Sequence, residues 1–257
     1  MIFKGTGNKI VVKLYINMVC NLNCDYCYVR RGFKNLWGAS MSLDKVKIIK
    51  KYIPKDSIIQ ILGGEPTLHK DFAKICELFK DHEIEVFTNG TRKLKDTGVK
   101  YSVTYHKDFV KKYQIERFLN NIKDIKINEL KIMLDDLDTS LKNYKFFKDR
   151  GYKPKLRAID DRLEIFDSIK DLKEASDLET FYLDDQKISL DQAMKMNFRH
   201  WFCEPCVISV YPDLSGEVNC EPFKIISEIR KLKVLRCRKN KCNACYLDGI
   251  KYDKPQL

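Results

Sequence analysis

The chain has 257 residues, of which 44% are apolar and 33% are charged. This composition excludes a disordered or fibrous chain and fits one sizeable domain, with or without a small appendage. The sequence contains no apolar run of the roughly 18 residues that cross a bilayer and no secretory signal, so we expect a cytoplasmic protein without membrane contact. In that compartment, ten cysteines predict metal ligation or redox chemistry rather than a disulfide framework.

The formal net charge is +12, which attracts anionic partners such as nucleic acids. Lysines are spread over nearly every segment of the chain, however, so a solvated basic surface explains the charge equally well. Both explanations stay open on composition alone.

From residue 9 to about residue 160, short β-branched segments alternate with helical patterns, which is typical of βα units and a parallel sheet. The predicted strands span residues 9–17, 57–62, 83–88, 100–105, 129–134 and 155–159. Apolar stripes at helical spacing lie between them, and Ser42 and Asp71 are predicted N-caps of the first two helices. Because βαβ crossovers are right-handed, these units curl into an open, partial (β/α)6 barrel of the TIM type. Functional loops should follow the carboxyl ends of its strands.

Three cysteines follow the first predicted strand. Cys20, Cys24 and Cys27 are separated by three and then two residues. A loop this short can wrap three thiolates around one soft metal centre. No fourth ligand follows nearby, so the simplest interpretation is a [4Fe–4S] cluster with one iron open to a small molecule. Three buried cysteines or a zinc knuckle are the alternatives.

A glycine-rich segment, Gly63-Gly64-Glu65-Pro66, ends the second predicted strand. With the cysteine triplet, and with Tyr26 before its last cysteine, this segment resembles the signature of radical S-adenosylmethionine (SAM) enzymes. The resemblance implies that the backbone of the two glycines and the Glu65 carboxylate hold the amino group of SAM. Glycines permit close backbone approach, and a carboxylate pairs with an ammonium group. Taken alone, the segment also fits a simple turn.

Two further segments lie where ligand contacts are expected. Thr88 and Asn89 follow the third strand in a Thr-Asn-Gly segment similar to one in family members with extra clusters, although a turn explains it equally well. In the fourth strand, period-two alternation places Thr104 and His106 on one face, where they could meet SAM and substrate respectively. A structural histidine is the alternative for His106. Weaker candidates of the same kind are Met133, Asp135 and Arg157.

After a predicted helix at 161–172 and an acidic connector, the composition changes, because six cysteines fall within 43 residues: Cys203, Cys206, Cys220, Cys237, Cys242 and Cys245. Strands predicted at 207–211 and 217–220 form a hairpin, and a helical segment follows. We therefore predict two domains, residues 1–198 and a small cysteine-rich hairpin and helix extension at 199–257. Cys76, on the buried stripe of a helix, is predicted to be a core residue.

The extension resembles the twitch and SPASM auxiliary-cluster domains. Gly216 and Cys220 are separated by three residues where SPASM usually has four, and the full late cysteine run is absent. Six thiolates cannot fully ligate two cubanes, so the resemblance implies one auxiliary [4Fe–4S] cluster, held by Cys203 or Cys206 with Cys220, Cys242 and Cys245. A zinc ribbon and a second, partly ligated cluster are the alternatives.

The chemistry implied by the resemblance is radical. SAM binds the open iron and is split by one electron, and the resulting 5′-deoxyadenosyl radical takes a hydrogen atom from the substrate. The resemblance implies a flavodoxin- or ferredoxin-type reductant and an oxidoreductase or a radical rearrangement, in which the auxiliary cluster assists oxidation or binding of the substrate.

A small molecule or a peptide is the first expectation for that substrate. The first strand begins near residue 9, so we expect no N-terminal peptide-recognition domain, which makes a ribosomal peptide less favoured. One alternative, motivated by the charge, is modification of a nucleotide or nucleic acid. The other is a non-catalytic, zinc-stabilised interaction module.

Overall fold

The computed structural model describes residues 9–107, 115–157, 159, 207–218 and 222–229 with their side chains. For 181–183, 186–188, 202–203, 221, 230–231, 235–236 and 252–253 it describes the backbone. The predicted helix at 161–172 and five of the six C-terminal cysteines lie outside the described residues.

A nine-stranded sheet organises the described part of the chain. Six of its parallel strands follow the chain order across the sheet: β1 (Val11–Asn17), β2 (Ile58–Gly63), β3 (Glu83–Thr88), β4 (Lys100–Tyr105), β5 (Ile127–Met133) and β6 (Pro154–Arg157). Each agrees with its predicted strand to within two residues. The predicted α/β fold with a partial barrel is therefore confirmed.

Helices follow most of these strands: α1 (Tyr28–Gly32), α2 (Leu43–Lys50), α3 (Phe72–Leu78), α4 (Ile115–Ile122) and α5 (Leu137–Lys148). The stripes of α2 to α5 pack on alternate residues of the strands in one continuous core, which contains the buried Cys76 as predicted. The outward residues of the strands are consequently apolar, whereas their inward neighbours are largely polar.

The two predicted N-caps have different outcomes. The Ser42 hydroxyl accepts a hydrogen bond from the backbone N–H of Lys45, as a cap should. Asp71 occupies the N-cap position of α3 but makes no capping hydrogen bond. Its carboxylate pairs with Lys74 at 2.9 Å instead, and its backbone lies outside the extended region that a capping side chain needs. Asp71 is therefore the N-cap residue of α3, as predicted, but without the capping hydrogen bond.

The predicted C-terminal hairpin is present and joins the main sheet. Its strands are β10 (Val207–Val210) and β11 (Gly216–Val218), followed by β12 (Glu221–Phe223) and a 3₁₀ helix, Ile226–Lys231. Strand β10 pairs in parallel with β1, with Val207 opposite Val11, so the sheet continues past β1 through β10, β11 and β12. The domain boundary near residue 198 stays a prediction.

Shorter strands complete the described backbone. Strands β7 (Phe181–Leu183) and β8 (Gln186–Ile188) pair with each other in antiparallel orientation. Strand β9 (Phe202–Cys203) lies between β13 (Leu235–Arg236) and β14 (Tyr252–Asp253) in a separate small sheet. The first of the C-terminal cysteines thus belongs to a strand that is paired on both sides.

Candidate active site

The three cysteines of the first cluster lie on the loop between β1 and α1, at the carboxyl edge of the sheet. Cys20, Cys24 and Cys27 form no disulfide bond and are partly exposed. In the described ranges, no group of three His, Cys, Asp or Glu side chains converges closely enough to hold a metal ion. Three accessible thiols on one short loop are the donor set of an iron–sulfur cluster, so the chemistry of the loop fits the group. Ligation by these three residues stays a prediction.

Cys20 has the most structured surroundings of the three. Its Sγ accepts hydrogen bonds from the backbone N–H of Leu22 at 3.4 Å and from Asn89 Nδ2 at 3.6 Å. Burial raises the pKa of Cys20 to about 11, and the nearby charges of Glu65 and Cys27 act in the same direction. Without a metal the side chain is therefore a thiol near neutral pH, and a bound metal would stabilise its thiolate. This environment suits a metal ligand and disfavours a nucleophile.

The glycine pair packs against the protein's own backbone. A Cβ on Gly63, whose φ is +145°, would lie 2.0 Å from Asn17 O, and one on Gly64 would lie 2.3 Å from Val19 O. The N–H of Gly64 donates to Asn17 O at 2.6 Å, and that of Glu65 donates to Val19 O at 2.8 Å. The close approach that the sequence assigned to a ligand thus occurs between the ends of β1 and β2. Contact of the glycines with SAM stays a prediction.

Glu65 is completely buried, and its carboxylate is occupied by donors from two loops. Its Oε1 accepts from the N–H and hydroxyl of Thr67 and from the hydroxyl of Thr88, at 3.1, 2.6 and 2.7 Å. Its Oε2 accepts from the N–H of Asn89 at 2.7 Å. Burial raises the pKa of Glu65, and these hydrogen bonds oppose that shift. Through these hydrogen bonds Glu65 links the ends of β2 and β3. Its predicted contact with the SAM amino group is untested.

Asn89 connects the hydrogen-bonded Glu65 to the cysteine loop. Its Oδ1 accepts from the N–H and hydroxyl of Thr91 at 3.0 and 2.6 Å, while its Nδ2 faces Asn21 Oδ1 at 3.1 Å and Cys20 Sγ. Asn21 in turn donates to the Thr91 hydroxyl at 2.8 Å. The two residues of the Thr-Asn-Gly segment that the sequence singled out therefore both have partners within the protein.

Tyr26 and His106 meet across the site. The Tyr26 hydroxyl lies 2.8 Å from His106 Nδ1, the two rings stack with centroids 5.9 Å apart, and the same nitrogen lies 3.6 Å from Cys24 Sγ. Burial lowers the pKa of His106 to about 4, so the imidazole is neutral near pH 7. The residue that follows β4 is thus placed against the cysteine loop, and its predicted contact with substrate stays a prediction.

The other residues of that face extend the polar inner surface. Thr104 is half-buried, and the Ser102 hydroxyl donates to Glu85 Oε1 at 2.6 Å, on the side opposite the core residues Tyr101 and Val103. Among the weaker candidates, Asp135 is buried and pairs with Lys107, whereas Arg157 and Met133 are half-buried.

Sequence reasoning missed two inward residues. The side chain of Lys131 on β5 is only 9% exposed, lies 3.0 Å from Glu129 and sits over the Phe87 ring at 5.4 Å. Lys131 alternates with the apolar Leu130 and Ile132 along the strand, and this pattern could have identified it as an inward residue. Asn17, at the end of β1, bonds with both backbone polar groups of Val19 and with Glu65 O. The contact with Val19 is local, whereas Glu65 is brought to Asn17 only by the fold, 48 positions along the sequence.

A family model described as the Radical SAM superfamily matches residues 14–183, about two thirds of the chain. The chain belongs to the radical SAM superfamily. This radical SAM protein accordingly is an enzyme of a family that uses SAM and a [4Fe–4S] cluster. Membership argues against the non-catalytic zinc module. The twitch or SPASM character of the C-terminal extension lies beyond the match and stays a prediction.

Among curated relatives, a probable GTP 3′,8-cyclase of Methanocaldococcus jannaschii is 30% identical over 154 residues, which cover 51% of this chain and 51% of the relative. A second one, of Methanococcus maripaludis, is 40% identical over 98 residues and covers 34% and 33% of the two chains. The chain therefore spans about half of the first of these relatives and about a third of the second. The crystal structure of Streptococcus suis SuiB is 14% identical, with a TM-score of 0.50, and covers 96% of this chain and 66% of SuiB, a likeness of fold.

Within the part of the chain that the structure describes, every helix is too short or too polar to cross a membrane.

Proposed function

We propose that this radical SAM enzyme removes a hydrogen atom from a nucleotide, with GTP as the first candidate. The observation that carries the proposal is the similarity to relatives named GTP 3′,8-cyclases. This similarity favours the nucleotide alternative over the small molecule or peptide that the sequence first suggested. It also favours a radical rearrangement over a simple dehydrogenation.

In this proposal, Cys20, Cys24 and Cys27 hold the cluster at the carboxyl edge of the sheet. The bound cluster would supply the electron that splits SAM into methionine and a 5′-deoxyadenosyl radical. The protein itself positions the reacting groups. The Gly63-Gly64 segment holds the end of β2 against the cysteine loop, and the neutral His106 offers hydrogen bonds rather than charge to what binds there.

The inner surface of the sheet suits an anionic substrate. Lys131 and Arg157 lie on the inward side of neighbouring strands, with Arg157 opposite Met133 in the register of β5 and β6. Lys107 lies just beyond β4, beside the buried Asp135. Lys131 pairs with Glu129 and Lys107 pairs with Asp135, so binding of a polyphosphate here requires these two lysines to exchange a carboxylate partner for phosphate oxygens.

The test is deuterium transfer. Anaerobically reconstituted protein is reduced with dithionite and incubated with SAM and GTP deuterated at one ribose position at a time. We expect 5′-deoxyadenosine to form and to carry deuterium from one position, and the Cys24→Ala variant to form none. Deuterium transfer from a peptide or another small molecule, with none from any nucleotide, would refute the nucleotide proposal.

We also propose one auxiliary [4Fe–4S] cluster in the C-terminal extension, and a flavodoxin- or ferredoxin-type reductant. The support is the set of cysteines Cys203, Cys206, Cys220, Cys237, Cys242 and Cys245, together with the hairpin at residues 207–218. Iron and acid-labile sulfide would be measured in wild type and in a variant with Cys20, Cys24 and Cys27 all replaced by Ala. Retention of about half of the iron is expected. Zinc in place of the remaining iron, or no metal at all, would contradict the auxiliary cluster.

A further inference from the structure

We infer that Asn89 is a positioning residue that donates an N–H hydrogen bond to the Cys20 sulfur and thereby raises the reduction potential of the cluster. The inference rests on the proposed ligation of a cluster by Cys20. The carrying observation is the 3.6 Å contact between Asn89 Nδ2 and Cys20 Sγ, which joins the end of β3 to the cysteine loop across 69 positions of the sequence.

The orientation of the Asn89 amide is fixed by its other partners. Its Oδ1 accepts from the backbone N–H of Thr91, which can only donate, so the oxygen faces Thr91 and the nitrogen faces the cysteine. One of the two amide hydrogens has Asn21 Oδ1 as its acceptor at 3.1 Å, which leaves the other for the sulfur. The side chain is only 6% exposed, and its backbone N–H is held by Glu65.

A donor held in this way acts on the redox couple. Reduction adds one negative charge to a cluster, and part of that charge lies on the thiolate ligands. An N–H group that points at a ligand sulfur stabilises the reduced form more than the oxidised form. Because Asn89 is held by Glu65 and Thr91, the donor is in place before reduction and need not reorganise. The second donor to Cys20, the N–H of Leu22, belongs to the loop itself and cannot be removed by a side-chain substitution.

Three substitutions separate the effect of the hydrogen bond from the effect of charge. Asn89→Asp keeps the oxygen that Thr91 requires, and it removes both amide hydrogens. Asn21→Asp places the same charge next to Cys20 but leaves the Asn89 donor intact. Asn89→Leu removes the donor without adding charge. The readout is a redox titration monitored by EPR. The signal of this cluster is first identified by its change when SAM is added, and the titration itself is then done without SAM.

We expect Asn89→Leu to lower the ratio of reduced to oxidised cluster at a fixed potential about threefold, which corresponds to about 28 mV because a tenfold change equals about 59 mV for one electron. Asn89→Asp should lower the ratio further than Asn21→Asp does. Wild-type potential in Asn89→Leu, or equal shifts in the two Asp variants, with iron content retained, would overturn the inference.

Wild-type protein provides a second readout that does not depend on folding of a variant. In protein grown with ¹⁵N-asparagine, pulsed EPR of the reduced cluster should detect a coupled amide nitrogen. Absence of that coupling refutes the inference. If the Cys20, Cys24 and Cys27 replacements leave the SAM-responsive signal intact, then the proposed cluster site itself is wrong, so the two failures are distinguishable.

Discussion

The position of Gly64 makes a quantitative prediction, because the structure shows what a single methyl group would meet there. In Gly64→Ala, the new Cβ lies 2.3 Å from Val19 O, 2.5 Å from Val19 C and 2.9 Å from Cys20 N. These atoms belong to the backbone and cannot rotate away. To reach an ordinary contact, the start of the cysteine loop has to move by roughly 1 Å.

The cost of that movement has two parts. Overpacking of this kind typically costs about 1–3 kcal/mol. The 2.8 Å hydrogen bond from the N–H of Glu65 to Val19 O is lost or stretched, which adds about 1 kcal/mol. We therefore expect Gly64→Ala to lower the free energy of unfolding by about 2–4 kcal/mol. Because Cys20 follows Val19 directly, we also expect it to reduce iron binding.

The matched control is Gly32→Ala, at the end of α1 in the same part of the chain. No atom lies within 4 Å of a Cβ built there, and alanine is favoured over glycine in a helix by about 1 kcal/mol. Urea denaturation of the metal-free protein would give both free energies, and iron analysis after reconstitution would report on the loop. Equal stability and equal iron content in the two variants would refute the steric argument.

Three other predictions concern side chains near the site or in the core. Glu65→Gln should lower the free energy of unfolding by about 2–3 kcal/mol, because both oxygens of Glu65 accept hydrogen bonds and the NH2 group of glutamine would face a donor instead. Cys76→Ala should retain full iron content at a cost of about 1 kcal/mol, and in the wild type this thiol, whose pKa burial raises to about 12, should resist alkylation. Tyr26→Phe should cost about 1 kcal/mol through its lost hydrogen bond to His106. Tyr28→Phe removes a 3.0 Å hydroxyl contact with Tyr15 and should cost less than about 0.5 kcal/mol, since Tyr28 is 56% exposed.

Each of these has a measurement that decides it. Urea denaturation compares Glu65→Gln with Glu77→Gln, since the Glu77 side chain is 68% exposed. Equal free energies of unfolding in the two variants would contradict a stabilising role of the buried Glu65 hydrogen bonds. Loss of iron in Cys76→Ala would show that this cysteine is a ligand. Equal losses of stability in Tyr26→Phe and Tyr28→Phe would show that the hydrogen bond to His106 contributes nothing measurable.

The amino-acid sequence by itself determined the strands, the helix stripes and the cysteine loop. Alternation and helical periodicity are properties of neighbouring residues, so β3 and β4 could be bounded to the residue before the fold was known. The cap at Ser42 is equally local, since donor and acceptor are three residues apart. Spacing of three and two residues likewise limits where Cys20, Cys24 and Cys27 can lie relative to one another.

Only the tertiary structure decided which groups those segments meet. The partner of Gly64 is the backbone of Val19, and the donors to Glu65 come partly from the end of β3, which is more than twenty residues away. Strand β10 joins β1 across nearly two hundred residues, which no local pattern encodes. The physical reason is the same in each case: close packing and buried hydrogen bonds depend on which strand ends share an edge, and the sheet sets that arrangement as a whole.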